Sequence, residues 1–207
     1  MASRLAETDL MNSRTPKLIL ASQSPRRREL LLDLGFEFEV VPPDEAVERG
    51  VNPDCSPEQF VCNSATAKAR FVAEQVQSGI ILSADTVAEC QSQVLGKPID
   101  RAHAEQMLRL MSGQQHRVLT GVCLYHQPSG QSKVWLEQTV LRMDVLDERL
   151  LTSILDSNGW IGKAGGFGFQ DGLDWLHIES GLESNVVGLP VERLEQWITE
   201  LMGRVES

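Results

Sequence analysis

The sequence predicts an α/β (mixed α+β) fold, a sheet flanked by helices and divided by a cleft. Three observations predict it. Strand-like apolar runs alternate with amphipathic helical stretches along most of the chain. Two long strand patterns, about Arg117 to His126 and about Lys133 to Met143, are joined by Pro128-Ser-Gly130 and read as an antiparallel hairpin. The first apolar run, from Leu18, ends in Ser22-Gln-Ser24-Pro25-Arg26-Arg27-Arg28, a helix start crowded with cations.

At that start Ser24 takes the N-cap position, and Pro25 the first helical one, where a missing N–H costs nothing. The N–H groups of the first turn, with Arg26 and Arg27 beside them, make an anion site suited to a polyphosphate. Taken alone, such a run more often marks an arginine-rich surface helix. The rest of the chain decides between the two.

With 207 residues, 42% hydrophobic and 23% charged, the chain suits one soluble domain, whole or divided by a cleft, with a sizeable core. A net charge of −10 and a pI near 4.9 argue against nonspecific nucleic-acid binding and against anionic membranes. In so acidic a chain, clustered arginine and lysine need a reason, and a small anionic ligand supplies one. Cys55, Cys62, Cys90 and Cys123 form no C-x-x-C pair. They read as reduced structural thiols of a cytoplasmic protein, not as a zinc site or a disulfide framework. No run approaches the ~18 consecutive apolar residues of a membrane span. Residues 1–16 are polar, lack an apolar core and read as a disordered leader, not a signal peptide.

In order, a strand over Phe36 to Val41 follows the first helix and stops at Pro42-Pro43. An acidic loop, Asp44 to Pro57, carries Asp44, Glu45 and Glu48. Ser56 then caps a helix running to about Gln77, with Phe60, Val61, Ala65, Ala69 and Val72 on one face. Lys68 sits mid-helix among alanines, where small neighbours permit close packing. The run from Ile80 to Ala88 is a buried-type strand carrying Asp85, and an ionised carboxylate there needs a cation, a metal or hydrogen bonds. A short strand, Gln93 to Leu95, leads into Gly96-Lys97-Pro98, which is not a Walker motif. Asp100 opens a helix through about Met111. After the hairpin come a helix from Asp147 to Leu155, a glycine-rich loop from Asn158 to Gly172, a strand from Leu173 to Ile178 and a C-terminal helix to about Met202. Aromatic residues among those glycines favour an ordered loop that approaches a ligand closely over a flexible linker.

Seven segments carry a resemblance: Leu20-Ala-Ser22-Gln-Ser24-Pro-Arg26-Arg27, Ala65-Thr-Ala-Lys68-Ala, Ser83-Ala-Asp85-Thr86-Val, Gly96-Lys97-Pro98, Ser112-Gly-Gln-Gln-His116-Arg-Val-Leu-Thr120-Gly, Lys163-Ala-Gly-Gly-Phe-Gly-Phe-Gln170 and Asn185-Val-Val-Gly188-Leu-Pro190. In this order and spacing the chain resembles the Maf family of nucleoside triphosphate pyrophosphatases from about Lys17 to about Leu201. The resemblance implies a bent mixed sheet with two lobes around a deep cleft, and a single catalytic domain over 17–203. It implies hydrolysis of a nucleoside triphosphate to the monophosphate and pyrophosphate with a divalent metal, Mg²⁺ or Mn²⁺. Members of the family are typically cytoplasmic and often form homodimers.

Carried over by residue, Asp85 matches the proton acceptor. Ser22, Arg26, Arg27, Lys68 and Lys97 match the phosphate-contacting positions. Arg26, Thr86 and Gln170 match those tied to base choice, and this combination resembles the branch acting on dTTP and UTP, with modified pyrimidines as further candidates. The acidic loop is short against the family pattern, so the resemblance leaves Glu45 or Glu48 as the metal-associated acid, with Glu45 preferred, and Asp85 as a metal ligand or general base. The chain departs from the family pattern at Gly159, where a glutamate is usual, at Phe167 for tyrosine and at Asp171 for glycine. The rival expectation is a non-catalytic nucleotide-binding regulator of cell division or septum formation. Retention of Asp85, Lys68 and Lys97 argues for the enzyme.

Overall fold

The computed structural model describes residues 16–44, 46–49, 54–169 and 172–205, with backbone alone for 48 and 49. The leader up to residue 15, Glu45, the Glu48 side chain, Gln170 and Asp171 lie outside the described residues.

The strands are β1 (Leu18–Ala21), β2 (Phe38–Val40), β3 (Gly79–Cys90), β4 (Gln93–Leu95), β5 (Gln115–Gln127), β6 (Ser132–Met143) and β7 (Leu176–Ser180). They form one seven-stranded mixed sheet in the order β2-β1-β3-β5-β6-β7, with β4 also paired to β3. β1 runs parallel to β2 and β3, and the other pairings are antiparallel. The mixed α/β architecture and the β5–β6 hairpin read from the sequence are the ones observed.

The helices are α1 (Pro25–Asp33), α2 (Ala46–Arg49), α3 (Pro57–Ala73), α4 (Arg101–Met111), α5 (Glu148–Asp156), α6 (Glu183–Val187) and α7 (Leu194–Val205). Several expected bounds move. The second strand is shorter, α3 ends four residues before Gln77, and the last strand lies further along the chain. A single turn of helix, α2, interrupts the acidic loop. Ser24 occupies the N-cap of α1 without a side-chain capping bond. Its backbone N–H instead donates to Ser22 Oγ at 3.2 Å. Ser56 does cap α3: its Oγ accepts from Gln59 N, and the Gln59 side chain accepts from Ser56 N.

Period-two alternation sorts the parallel strands between two layers. Leu18, Leu20, Ile80 and Leu82 pack with Leu31 of α1 and Trp197 and Leu201 of α7. Ile19 and Ile81 turn the other way and meet Ala65, Ala69 and Val72 of α3. Each such fully buried aliphatic side chain is worth about 1.5–3 kcal/mol relative to exposure. Gly121 of β5 brings α3 still closer, since a Cβ there would lie 2.4 Å from the backbone carbonyl of Val61. A further apolar cluster gathers α4, α5 and the glycine-rich loop, including Met107, Leu108, Leu155, Trp160 and Phe167. Among the described residues no helix is long and apolar enough to cross a membrane.

Candidate active site

Strand pairing leaves a gap in the sheet. On one edge of β3 the ladder with β1 ends at Ser83, and the ladder with β4 begins at Ala88. Asp85 and Thr86 lie in that gap, just beyond the carboxyl end of β1, where open α/β sheets hold their ligands. A cleft of about 680 Å³ opens there. Ser22 to Arg27 line one wall, Ile161 to Ala164 and Phe167 to Phe169 line another, and Lys68, Asp85, Thr86 and Lys97 also face it.

Close packing of α3 on the sheet carries Lys68 to the cleft. Lys68 is 4% exposed and Asp85 16%, with Lys68 Nζ donating to Asp85 Oδ1 at 2.7 Å. The ammonium also reaches the Ala84 carbonyl at 3.5 Å. The carboxylate expected to need a cation therefore has one, supplied from the neighbouring helix.

Arg27 spreads its guanidinium across three groups. Nε donates to the Gly188 carbonyl at 2.8 Å, Nη1 to Ser22 Oγ at 3.2 Å and Nη2 to Thr86 Oγ1 at 3.0 Å. Arg26 reaches the glycine-rich loop, where Nη2 donates to the Gly162 carbonyl at 3.2 Å. Lys97 is set by its neighbour: the Gly96 carbonyl accepts from Gly165 N at 3.0 Å, joining two loops. Gly165 has φ +70°, and a Cβ there would lie 2.8 Å from the Phe167 ring, so both conformation and space require glycine.

The structure thus brings Ser22, Arg26, Arg27, Lys68, Asp85, Thr86 and Lys97 to one cleft. Glu45 and Gln170 lie outside the described residues. Their described neighbours Asp44 and Phe169 line the cleft. Three further features were assigned no site role from the sequence. Lys163 adds a cation to the lining, Phe167 and Phe169 supply aromatic surface, and Val186 to Gly188 form part of the wall. A lysine immediately after Gly162 was the available signal for the first.

Behind Phe167 lies His116, 2% exposed, its ring edge-on to the phenyl with centroids 5.5 Å apart. Neither ring nitrogen makes a well-formed hydrogen bond. Burial pushes its pKa down to about 4, with only a weak opposing contact from the Gln114 backbone. The cysteines are all free thiols, and burial pushes Cys123 up to about 12, so that thiol stays protonated.

Among the described residues no group of three or more His, Cys, Asp or Glu side chains is placed to cage a metal. Asp85 nevertheless offers a hard carboxylate donor inside a cation-lined cleft. One or two carboxylates completed by substrate phosphates is the usual donor set for Mg²⁺.

Comparison with known proteins identifies the family. Residues 17–201 match the family model described as Maf-like protein. A dTTP/UTP pyrophosphatase of Rhodopirellula baltica is 46% identical over 207 residues, covering 98% of this chain and 91% of the relative. One from Symbiobacterium thermophilum is 42% identical over 185 residues, 89% of this chain and 93% of the relative. One from Ruminiclostridium cellulolyticum is 34% identical over 191 residues, 91% and 97% respectively. On these matches the chain belongs to the Maf family.

Proposed function

We propose that this chain is a nucleoside triphosphate pyrophosphatase that hydrolyses dTTP and UTP to the monophosphate and pyrophosphate. The observation that carries the reading is the Lys68–Asp85 pair in the sheet gap, facing a cleft with Arg26, Arg27 and Lys97 in its lining. The activity for which the relatives are named supports the same reading.

Cleavage between the α and β phosphates needs charge neutralisation, an activated water and a stabilised leaving group. Ser22, Arg26, Lys68 and Lys97 receive the phosphates, and Arg27, built into the wall, adds its charge to the same end. Asp85 either takes the proton of the attacking water or holds a divalent ion. Such an ion, Mg²⁺ or Mn²⁺, when bound by Asp85 and the phosphates, neutralises charge and acidifies water, with Glu45 as the second acid. Arg26, Thr86 and Gln170 choose the base. We place this chemistry in a single two-lobed catalytic domain over 17–203, in a cytoplasmic protein that can pair as a homodimer. The regulator alternative is not favoured, because a mere binder has no need of a carboxylate facing triphosphate charge.

A panel of nucleoside triphosphates with Mg²⁺ or Mn²⁺, scored for pyrophosphate release, tests the reading. Release from dTTP and UTP, lost in Asp85→Asn, supports it. Tight triphosphate binding with no pyrophosphate formed would overturn it.

A further inference from the structure

We infer that Arg27 and Thr120 are positioning residues that fix the polarity of the Thr86 hydroxyl. They leave it a hydrogen-bond acceptor toward the cleft, which selects pyrimidines with an N–H at ring position N3. The inference rests on the proposed function, in which Thr86 faces the base.

A hydroxyl has one proton to give and two lone pairs to offer. Arg27 can only donate, so its Nη2 at 3.0 Å occupies one lone pair of Thr86 Oγ1. The arginine is held in that direction by the protein itself, through the Gly188 carbonyl and Ser22 Oγ. Thr86 and Thr120 stand opposite each other in the β3–β5 ladder, and their hydroxyl oxygens are 3.0 Å apart. Thr120 Oγ1 in turn lies 3.3 Å from the Asn185 carbonyl, which can only accept.

Thr120 and Asn185 both have 0% exposure, so this end of the row has no water to turn to. Protons running from Arg27 to Thr86, from Thr86 to Thr120 and from Thr120 to Asn185 satisfy every member. Running the other way between the threonines would remove the Thr120 proton from a desolvated carbonyl. The Gly188 carbonyl, 3.4 Å from Thr86 Oγ1, is a longer second acceptor and also spends the proton on the protein. What Thr86 has left for a ligand is a lone pair.

Uracil and thymine carry a hydrogen at N3, whereas N3 of cytosine is bare. An acceptor in the wall pairs with the first two and meets the third lone pair to lone pair. The selectivity against cytosine then originates one residue behind the contact with the base.

The test is the dCTP:dTTP ratio of kcat/KM for wild type, Thr86→Val, Thr120→Val and Thr120→Ser. In Thr120→Val the Thr86 proton keeps only the longer contact to the Gly188 carbonyl, and cytosine N3 can compete for it. The ratio is expected to rise about tenfold, the scale of one mismatched hydrogen bond, and to return to wild type in Thr120→Ser, which restores the hydroxyl. If Thr86→Val changes the ratio and Thr120→Val does not, the polarity inference is wrong while the base-reading role of Thr86 stands. If Thr86→Val leaves the ratio unchanged, that role fails and the inference falls with it. Absence of pyrophosphate release from every triphosphate rejects the proposed function itself. Should Thr120→Val not fold, Thr120→Ala decides, since it removes the same hydroxyl while Arg27 and the Thr86 hydroxyl stay in place. A raised ratio there supports the inference and an unchanged one overturns it.

Discussion

Lys68 Nζ and Asp85 Oδ1 lie 2.7 Å apart, the ammonium supplied by a helix and the carboxylate by a strand. The lysine is the more buried partner, so the aspartate is the member that the cleft reaches. This pairing explains how a carboxylate is tolerated in a largely buried strand.

Removing either partner has a different expected result. Asp85→Asn keeps shape and packing, and pyrophosphate release falls by at least about 10²-fold, the scale of a lost general base. Lys68→Met leaves the carboxylate without its cation. Because Asp85 is partly solvated, the cost is about 1–3 kcal/mol, below the 3–5 typical of a fully buried pair. Urea unfolding of both variants separates the effects, and a wild-type rate in Asp85→Asn would refute the role given to that residue.

Gly121→Ala tests how α3 is seated. The new methyl would overlap the Val61 carbonyl, a backbone group that cannot rotate aside. The expected loss is about 2–4 kcal/mol, as for other strained core substitutions. Activity falls as well, because Lys68 lies about two turns along the same helix. Thermal unfolding and pyrophosphate release, measured on one preparation, check both.

His116 gives the fold an acid-sensitive point. Its folded pKa is lowered to about 4 by burial. Below about 6.5 the unfolded chain takes up a proton that the folded chain refuses. Stability is therefore lost as pH falls from about 6.5 toward 4, by about 3 kcal/mol in all. In His116→Leu the melting temperature should fall less steeply across that window. An unchanged slope would assign the acid sensitivity elsewhere.

Chelation tests the proposed metal requirement. EDTA should stop pyrophosphate release, and added Mg²⁺ or Mn²⁺ should restore it. A rate unaffected by chelator would remove the divalent ion from the proposed chemistry.

Most of this site was legible because its residues sit at the ends of strongly patterned elements. Ser22, Arg26 and Arg27 follow an apolar strand, and Asp85 interrupts one. What could not be read was pairing across the fold. Nothing in the chain text says that Lys68 would meet Asp85, since that depends on Gly121 admitting α3 to the sheet. Arg27 reads as a phosphate ligand from its position beside Arg26, yet its direction depends on Gly188, 161 residues away. Helix α6 escaped notice because five residues are too few to show a period. The N-cap of α1 was placed correctly, but the Ser24 side chain makes no capping bond there, and its backbone N–H donates to the Ser22 hydroxyl.

Arg26 and the Gly162 carbonyl, separated by 136 residues in sequence, meet at 3.2 Å. On the proposed reading, an incoming triphosphate does not find an idle arginine; it displaces a neutral oxygen with a charged one. The gain at this residue is then the difference between two hydrogen bonds, smaller than its charge suggests. The same exchange works in reverse after cleavage. Once pyrophosphate begins to leave, Arg26 has a partner waiting, so the step that empties the cleft does not strand a donor. A residue that helps to capture the substrate is thereby arranged to let the product go.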